Sequence, residues 1–177
     1  LTKDGVTVIN SYGERVNCVY EHIDWDASAA EKCGYPHFMI KEIMEQPEAI
    51  AKTIAPRISN GRIELGFKHI TAEMLKKVNS IKIIGCGSAY HVGFVAGYFM
   101  RAALRIPVES VLASEFRYDD PIVDENTLAI VISQSGETLD TLYGLREAKK
   151  HGAKTIAIVN VVGSTIANES EDVLYTW

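Results

Sequence analysis

The chain has 177 residues, 47% of them hydrophobic and 23% charged, which suits a soluble globular protein with one α/β domain and some appended material. A net charge of −5, with no stripe of Lys and Arg in any segment, gives no support to nucleic-acid binding. No apolar run reaches the roughly 18 residues of a membrane span. The three cysteines (Cys18, Cys33 and Cys86) form no Cys-x-x-Cys pair and fit a reducing cytosol better than a disulfide framework or a zinc site. The start, Leu1-Thr-Lys-Asp-Gly5, has neither Met nor a signal peptide and reads as the edge of a piece of something longer.

In chain order, residues 6–9 and 16–20 are short strand-like runs joined by Asn10-Ser-Tyr-Gly13, a hairpin signal. Two strands alone are marginally stable in water, so this hairpin needs a sheet or the rest of the chain to pack on. Residues 21–35 are polar and read as a linker. Helical spacing begins at residue 37, with Phe38, Ile40, Ile43 and Met44 along one side. Pro47 suits the first turn of a second helix carrying Ile50, Ile54 and Ile58, and Pro56 should interrupt that helix near its end. Residues 61–69 read as loop. Thr71 caps a short helix whose Met74, Leu75 and Val78 face a core.

From Ser80 onward strands and helices alternate. Strand runs fall at 81–85, 108–112, 128–132, 154–159 and 172–176. Between them lie a helix at 91–104, a short helix at 113–118, a helix after Thr138 and a helical turn within 160–168. Gly93 and Gly97 share one ridge of the first of these helices. Each weakens it by about 1 kcal/mol relative to Ala, so close backbone packing is the expected reason for them. The helix after Thr138 puts Leu139, Leu142, Leu145 and Ala148 on one face and closes with Lys149-Lys-His-Gly152. This alternation predicts an α/β fold with a doubly wound, five-stranded parallel sheet. Such sheets bind ligands beyond the carboxyl ends of their strands, where strand order reverses.

Two strand-to-helix turns at that end carry chemistry. Ser133, Gln134, Ser135, Gly136 and Thr138 combine free backbone N–H groups, a helix N-terminus and three hydroxyl donors, a set that suits a phosphate. The plainer alternative is that Ser135 caps the helix and the other hydroxyls are ordinary turn residues. Glu137 suits the dipole of a first helical turn but would repel a phosphate unless it points away. The second turn, Cys86-Gly87-Ser88-Ala89, follows the strand at 81–85. No Walker A loop exists, and Gly85-Cys-Gly-Ser-Ala-Tyr90 departs from the dinucleotide fingerprint at its third glycine. His22, His37, His69 and His151 have no partner pattern, and His91, one turn into a helix, reads as a packed or solvent-facing residue rather than a catalytic one. Cys86 lies near a helix N-terminus, which would favour a thiolate, but reads as a small packed residue at a tight turn.

The run Ser133-Gln-Ser-Gly-Glu-Thr-Leu-Asp-Thr141, with Cys86-Gly-Ser-Ala89 upstream and Ala113-Ser-Glu-Phe-Arg-Tyr118 between, resembles a sugar isomerase (SIS) domain. More narrowly, with His37-Phe-Met-Ile-Lys-Glu-Ile-Met-Glu-Gln-Pro47, the chain is similar to the first SIS domain of the glutamine–fructose-6-phosphate aminotransferase (isomerising) family and its preceding connector. The resemblance covers nearly the whole chain and implies a flavodoxin-like sheet. It implies that residues 1–36 are the final hairpin of a glutaminase domain plus linker, 37–79 connecting helices, and 80–177 a first SIS domain cut short at its C-terminal end.

That family binds fructose 6-phosphate, takes ammonia released from glutamine and makes glucosamine 6-phosphate for amino-sugar biosynthesis, with no metal or organic cofactor. Ser133, Gln134, Ser135 and Thr138 match the positions that hold the phosphate and part of the sugar. Cys86, Gly87 and Ser88 match a second sugar-contacting turn, which in the family usually reads Cys-Gly-Thr-Ser; here Ala89 lacks the final hydroxyl. The resemblance further implies a cytoplasmic homodimer with no membrane or nucleic-acid partner. The glutaminase nucleophile, the isomerase base, the Schiff-base lysine and a ring-opening histidine all lie outside this chain, so it is expected to bind hexose 6-phosphate weakly at best and to turn nothing over. Two other readings stay open at this point. A sugar-phosphate sensor would carry a basic helix-turn-helix ahead of the sheet, and a simple phosphosugar isomerase would lack the 37–47 connector.

Overall fold

The structure, a computed structural model, describes residues 2, 3, 5–17 and 31–177, and in it all five strands expected after residue 79 are present. The chain divides into two units, Leu1–Met44 and Glu45–Trp177. In the first, β1 (Val8–Ile9) pairs antiparallel with β2 (Arg15–Val16), in the register Val8 to Val16 and Ile9 to Arg15. The Asn10 side-chain oxygen accepts the N–H groups of Tyr12 at 2.9 Å and Glu14 at 3.0 Å, the local bonding for which Asn is favoured in turns. The expected continuation of the second strand to residue 20, with Cys18, and most of the linker lie outside the described residues.

Residues 38–54 form one helix, α1 (Phe38–Ile54), rather than two meeting at Pro47. Proline removes a single N–H from the helical ladder. The flanking Glu45, Gln46, Glu48 and Ala49 are strong enough helix formers to carry the turn through. Pro56 behaves as expected, because the helix gives way there to a 3-10 turn over Ala55–Arg57. Ile58, expected on that helix, and the start of the 61–69 stretch, expected to be loop, form a small hairpin instead. β3 (Ile58–Ser59) pairs with β4 (Arg62–Ile63) across Asn60-Gly61, whose φ angles of +50° and +71° are those of a two-residue mirror-image turn. At Thr71 the side chain accepts the Met74 N–H at 3.2 Å and caps α2 (Ala72–Leu75). Val78 packs on the core but Leu75 is 40% exposed, against expectation.

The remaining elements are β5 (Ser80–Gly85), α3 (Ser88–Leu104), β6 (Val108–Leu112), α4 (Ala113–Phe116), β7 (Thr127–Ser133), α5 (Leu139–Lys150), β8 (Lys154–Val159), α6 (Thr165–Glu169) and β9 (Asp172–Tyr175). The five strands form one parallel sheet in the order β6-β5-β7-β8-β9. Leu128, Ala129 and Val131 are buried, as a near-continuous apolar strand covered on both faces should be. On one face Ile84, Phe116, Val131, Leu142, Leu145 and Ile166 form a core. On the other, Ile81, Ile83, Val108, Leu128 and Ile156 pack with Ala96 and Met100 of α3.

One glycine on each face lets a helix approach β5. A Cβ on Gly93 would meet Ile83 Cγ2 at 2.7 Å and Ser110 Oγ at 2.8 Å, and one on Gly144 would meet Ile84 Cγ2 at 2.9 Å. Gly97 is less constrained, since its nearest neighbour would be 3.5 Å away. Leu139 also departs from the expected pattern at 66% exposure, whereas Leu142, Leu145 and Ala148 are buried as expected.

The segment before the sheet is tied to its β9 edge by polar contacts. The buried Asp172 carboxylate accepts the N–H groups of Lys68 at 2.7 Å, His69 at 3.0 Å and Ile70 at 2.7 Å. Arg57 Nη2 donates to the Tyr175 carbonyl at 2.6 Å, and the Trp177 N–H donates to Thr53 Oγ1 at 2.9 Å.

Candidate functional site

Strand order reverses between β5 and β7. From β5 the chain crosses outward to β6, and from β7 it proceeds the other way through β8 to β9. Gly85 at the end of β5 lies in register beside Ile132, one residue before the end of β7. The two turns singled out in the sequence therefore leave the sheet side by side. A weak contact from the Thr141 hydroxyl to Cys86 Sγ, at 3.9 Å, links the first turn of α5 to the neighbouring turn. Cys86, Gly87 and Ser88 open α3 with Gly87 at φ +56°, a conformation that explains a glycine there. Gly87 and Ser88 are exposed, Cys86 partly so.

The longer turn is built from the inside out. Ser133 is buried, and its hydroxyl is committed locally, accepting the Gly136 N–H at 3.1 Å and bonding Thr138 Oγ1 at 2.9 Å. Ser135 Oγ accepts the Glu137 N–H at 3.2 Å. Ser135 is thus a turn residue, and the residue at the N-cap of α5 is Thr138, which makes no side-chain capping bond. The first intrahelical bond of α5 runs from the Leu142 N–H to the Thr138 carbonyl at 2.9 Å. Helix geometry therefore leaves the N–H groups of Leu139, Asp140 and Thr141 without intrahelical acceptors. With the partial positive charge of the helix end, and with Ser135, Thr138 and the exposed Gln134 around them, these groups can hold an oxyanion. Of the three hydroxyls expected to donate, Ser133 shapes the turn from beneath, while Ser135 and Thr138 keep part of their surface in solvent.

A third loop, between β8 and α6, braces the turn. The Asn160 N–H donates to the Gln134 carbonyl at 3.1 Å, Gln134 Nε2 donates to Asn160 Oδ1 at 3.2 Å, and the Ile166 N–H donates to the Gly136 carbonyl at 3.0 Å. Glu137 Oε1 accepts the Thr165 N–H at 2.7 Å, and this backbone donor, helped by the Thr165 side chain, holds the carboxyl below its ordinary range. The concern about a phosphate-repelling Glu137 is answered by where the carboxylate is bonded. Gly136 stands at φ +66°, and a Cβ there would fall 2.0 Å from Ser164 Oγ. The Ser164 hydroxyl is buried and has no hydrogen-bond partner among the described residues. Asn160, Ser164 and Thr165 were not picked out from the sequence. The available signal was a third small, hydroxyl-bearing turn at the carboxyl end of a strand.

Among the described residues no group of three His, Cys, Asp or Glu side chains is placed to hold a metal, and no helix is long and apolar enough to cross a membrane. His91 sits exposed in the first turn of α3 beside Tyr90, with ring centroids 5.3 Å apart.

A parallel sheet in this order, with hydroxyl-bearing turns flanking its switch point, defines the class of protein. Residues 74–176 match the SIS domain, and the chain belongs to that family. Among curated proteins it is 53% identical, over 178 aligned positions, to the glutamine–fructose-6-phosphate aminotransferase (isomerizing) of Clostridium tetani, covering all of this chain and 29% of that protein. The enzyme of the same name from Streptomyces coelicolor is 50% identical over 177 positions, covering 99% of this chain and 29% of its own. Among solved structures, the C-terminal domain of glucosamine-fructose-6-phosphate aminotransferase from Francisella tularensis superposes with a TM-score of 0.76 at 40% identity, covering 82% of this chain and 41% of that one. The chain thus spans 29% of the length of these curated relatives.

Proposed function

We propose that this chain is the sugar-phosphate-binding part of the isomerase region of a glutamine–fructose-6-phosphate aminotransferase, a parent enzyme that makes glucosamine 6-phosphate from fructose 6-phosphate and glutamine-derived ammonia. The observation that carries the reading is the pairing of the 133–138 turn with the 86–88 turn at the switch point of the sheet. Open N–H groups of α5, Ser135, Thr138 and Gln134 take the phosphate and adjoining sugar hydroxyls, with Ser133 holding the turn in shape. Cys86, Gly87 and Ser88 line the neighbouring side, and Ala89 offers no hydroxyl there.

In this reading residues 1–36 are the closing hairpin and linker of a glutaminase domain, 37–79 the connector, and 80–177 the first SIS domain. A second SIS domain supplies the acid–base groups and the lysine, the parent is a cytoplasmic homodimer, and neither metal nor organic cofactor takes part. The chain alone is then a binding module without turnover.

The test is titration of the 177-residue chain with fructose 6-phosphate, glucosamine 6-phosphate and inorganic phosphate while following backbone amide resonances. Shifts concentrated at residues 133–141 and 86–88, larger for the hexose phosphates than for phosphate, are expected. Shifts located elsewhere, or none at millimolar ligand, would overturn the reading. Addition of ammonia and fructose 6-phosphate should yield no glucosamine 6-phosphate.

A further inference from the structure

Glu137 is an acidic residue inside a turn otherwise suited to an anion, so its presence needs a cause. Its geometry supplies one. The carboxylate reaches to the first N–H of α6, where a negative charge also suits the end of the short helix, and Oε1 to Thr165 N is 2.7 Å. Together with the Asn160–Gln134 pair of bonds and the Ile166 N–H on the Gly136 carbonyl, it completes a ladder between the two loops. That ladder sets the peptide planes from Gln134 to Glu137. The same planes determine how α5 begins, and so where its open N–H groups point.

We propose that Glu137 is a positioning residue of the phosphosugar turn: by bridging to Thr165 it aims the N-terminal N–H groups of α5 and never touches the ligand. This rests on the phosphosugar reading above. What the role requires is an acceptor oxygen at this place, not a charge. Glutamine keeps that oxygen and removes the charge, while alanine removes both. The donor can be deleted separately. Thr165 is the first residue of α6, where proline is tolerated, and Ser164 at φ −64° and ψ 158° already has the backbone that precedes a proline.

The experiment measures fructose 6-phosphate affinity of the 177-residue chain by amide titration for wild type, Glu137→Gln, Glu137→Ala, Thr165→Pro and the double variant Glu137→Ala/Thr165→Pro, with a thermal midpoint for each. Glu137→Gln should bind as tightly as wild type or up to about threefold tighter, since a like charge near the phosphate is gone. Glu137→Ala and Thr165→Pro should each weaken binding up to about tenfold, the upper worth of one hydrogen bond that needs no charge. The double variant should be no weaker than either single one, because both remove the same bond. If Glu137→Gln weakens binding as much as Glu137→Ala, the charge itself is at work and the positioning role is overturned. It is equally overturned if wild type binds and both Glu137→Ala and Thr165→Pro bind like it. Should Glu137→Ala fail to fold, Glu137→Gln against Thr165→Pro decides on the same criteria. Absence of hexose-phosphate binding by wild type would overturn the functional reading and this inference together, which separates that failure from the other two.

Discussion

Replacing Asp172 with alanine should weaken the tie between the segment ahead of the sheet and the β9 edge. Its carboxylate is 6% exposed and accepts three consecutive backbone N–H groups. Of these three residues, Ile70 is buried at 5% exposure while Lys68 and His69 are exposed. A dry amide left without an acceptor costs about 1–3 kcal/mol, and each amide that water can reach costs about 0.5–1 kcal/mol. The sum is about 3 kcal/mol, or about 9 °C in Tm for a chain of this size. Urea and thermal unfolding, followed by circular dichroism, measure it. Asp172→Asn keeps one acceptor oxygen but turns an amide N–H₂ toward a backbone donor, so it should fall between wild type and alanine.

The pH dependence supplies an internal check. Burial alone would raise the Asp172 pKa, but the backbone donors at Lys68, Ile70 and His69, with the adjacent His69 ring, outweigh it and leave the carboxyl below its ordinary value of 3.8. A depressed folded pKa contributes stability that is present above the unfolded value and is lost as pH falls through the folded one. The gap between wild type and Asp172→Asn should shrink as pH falls below about 4. An Asp172→Ala variant within about 0.5 kcal/mol of wild type, or a gap that widens in acid, would refute the reasoning.

Two further expectations concern glycines. Gly93→Ala should destabilise by about 1–3 kcal/mol because its Cβ would meet Ile83 and Ser110 below 3.0 Å, whereas Gly97→Ala, with nothing closer than 3.5 Å, should be neutral or stabilise by up to about 1 kcal/mol; paired urea titrations compare them. Gly136→Ala should lower both Tm and fructose 6-phosphate affinity, since its Cβ would overlap Ser164 Oγ. Adding Ser164→Gly should recover most of the Tm, leaving only the cost of about 1 kcal/mol for alanine at positive φ.

Much of the fold is written in short-range patterns. The runs at 81–85, 128–132 and 154–159 could be read as strands because their length and branching suit a strand covered on both faces, and the spacing of Leu142, Leu145 and Ala148 marked the buried side of α5. Asn60-Gly61 carried a hairpin signal as strong as any in the chain, although the stretch after it reads as loop by its polarity. Leu139 fits the same spacing as its buried neighbours yet is 66% exposed, while Thr141, two residues on in the same turn, is fully buried. At Pro47 a local rule gave way to the helix formers on either side.

By itself the sequence determined the element types from residue 80 onward, the two strand-to-helix turns and the family they belong to, because propensity, periodicity and motif spacing act over a few residues. Strand order, the burial of Ser133 beneath its turn, the bond from Glu137 to a residue 28 positions away and the Asp172 clasp on residues more than 100 positions earlier were decided only by the tertiary structure. Such contacts depend on which surfaces the folded layers bring together, and residue spacing along the chain does not encode that distance.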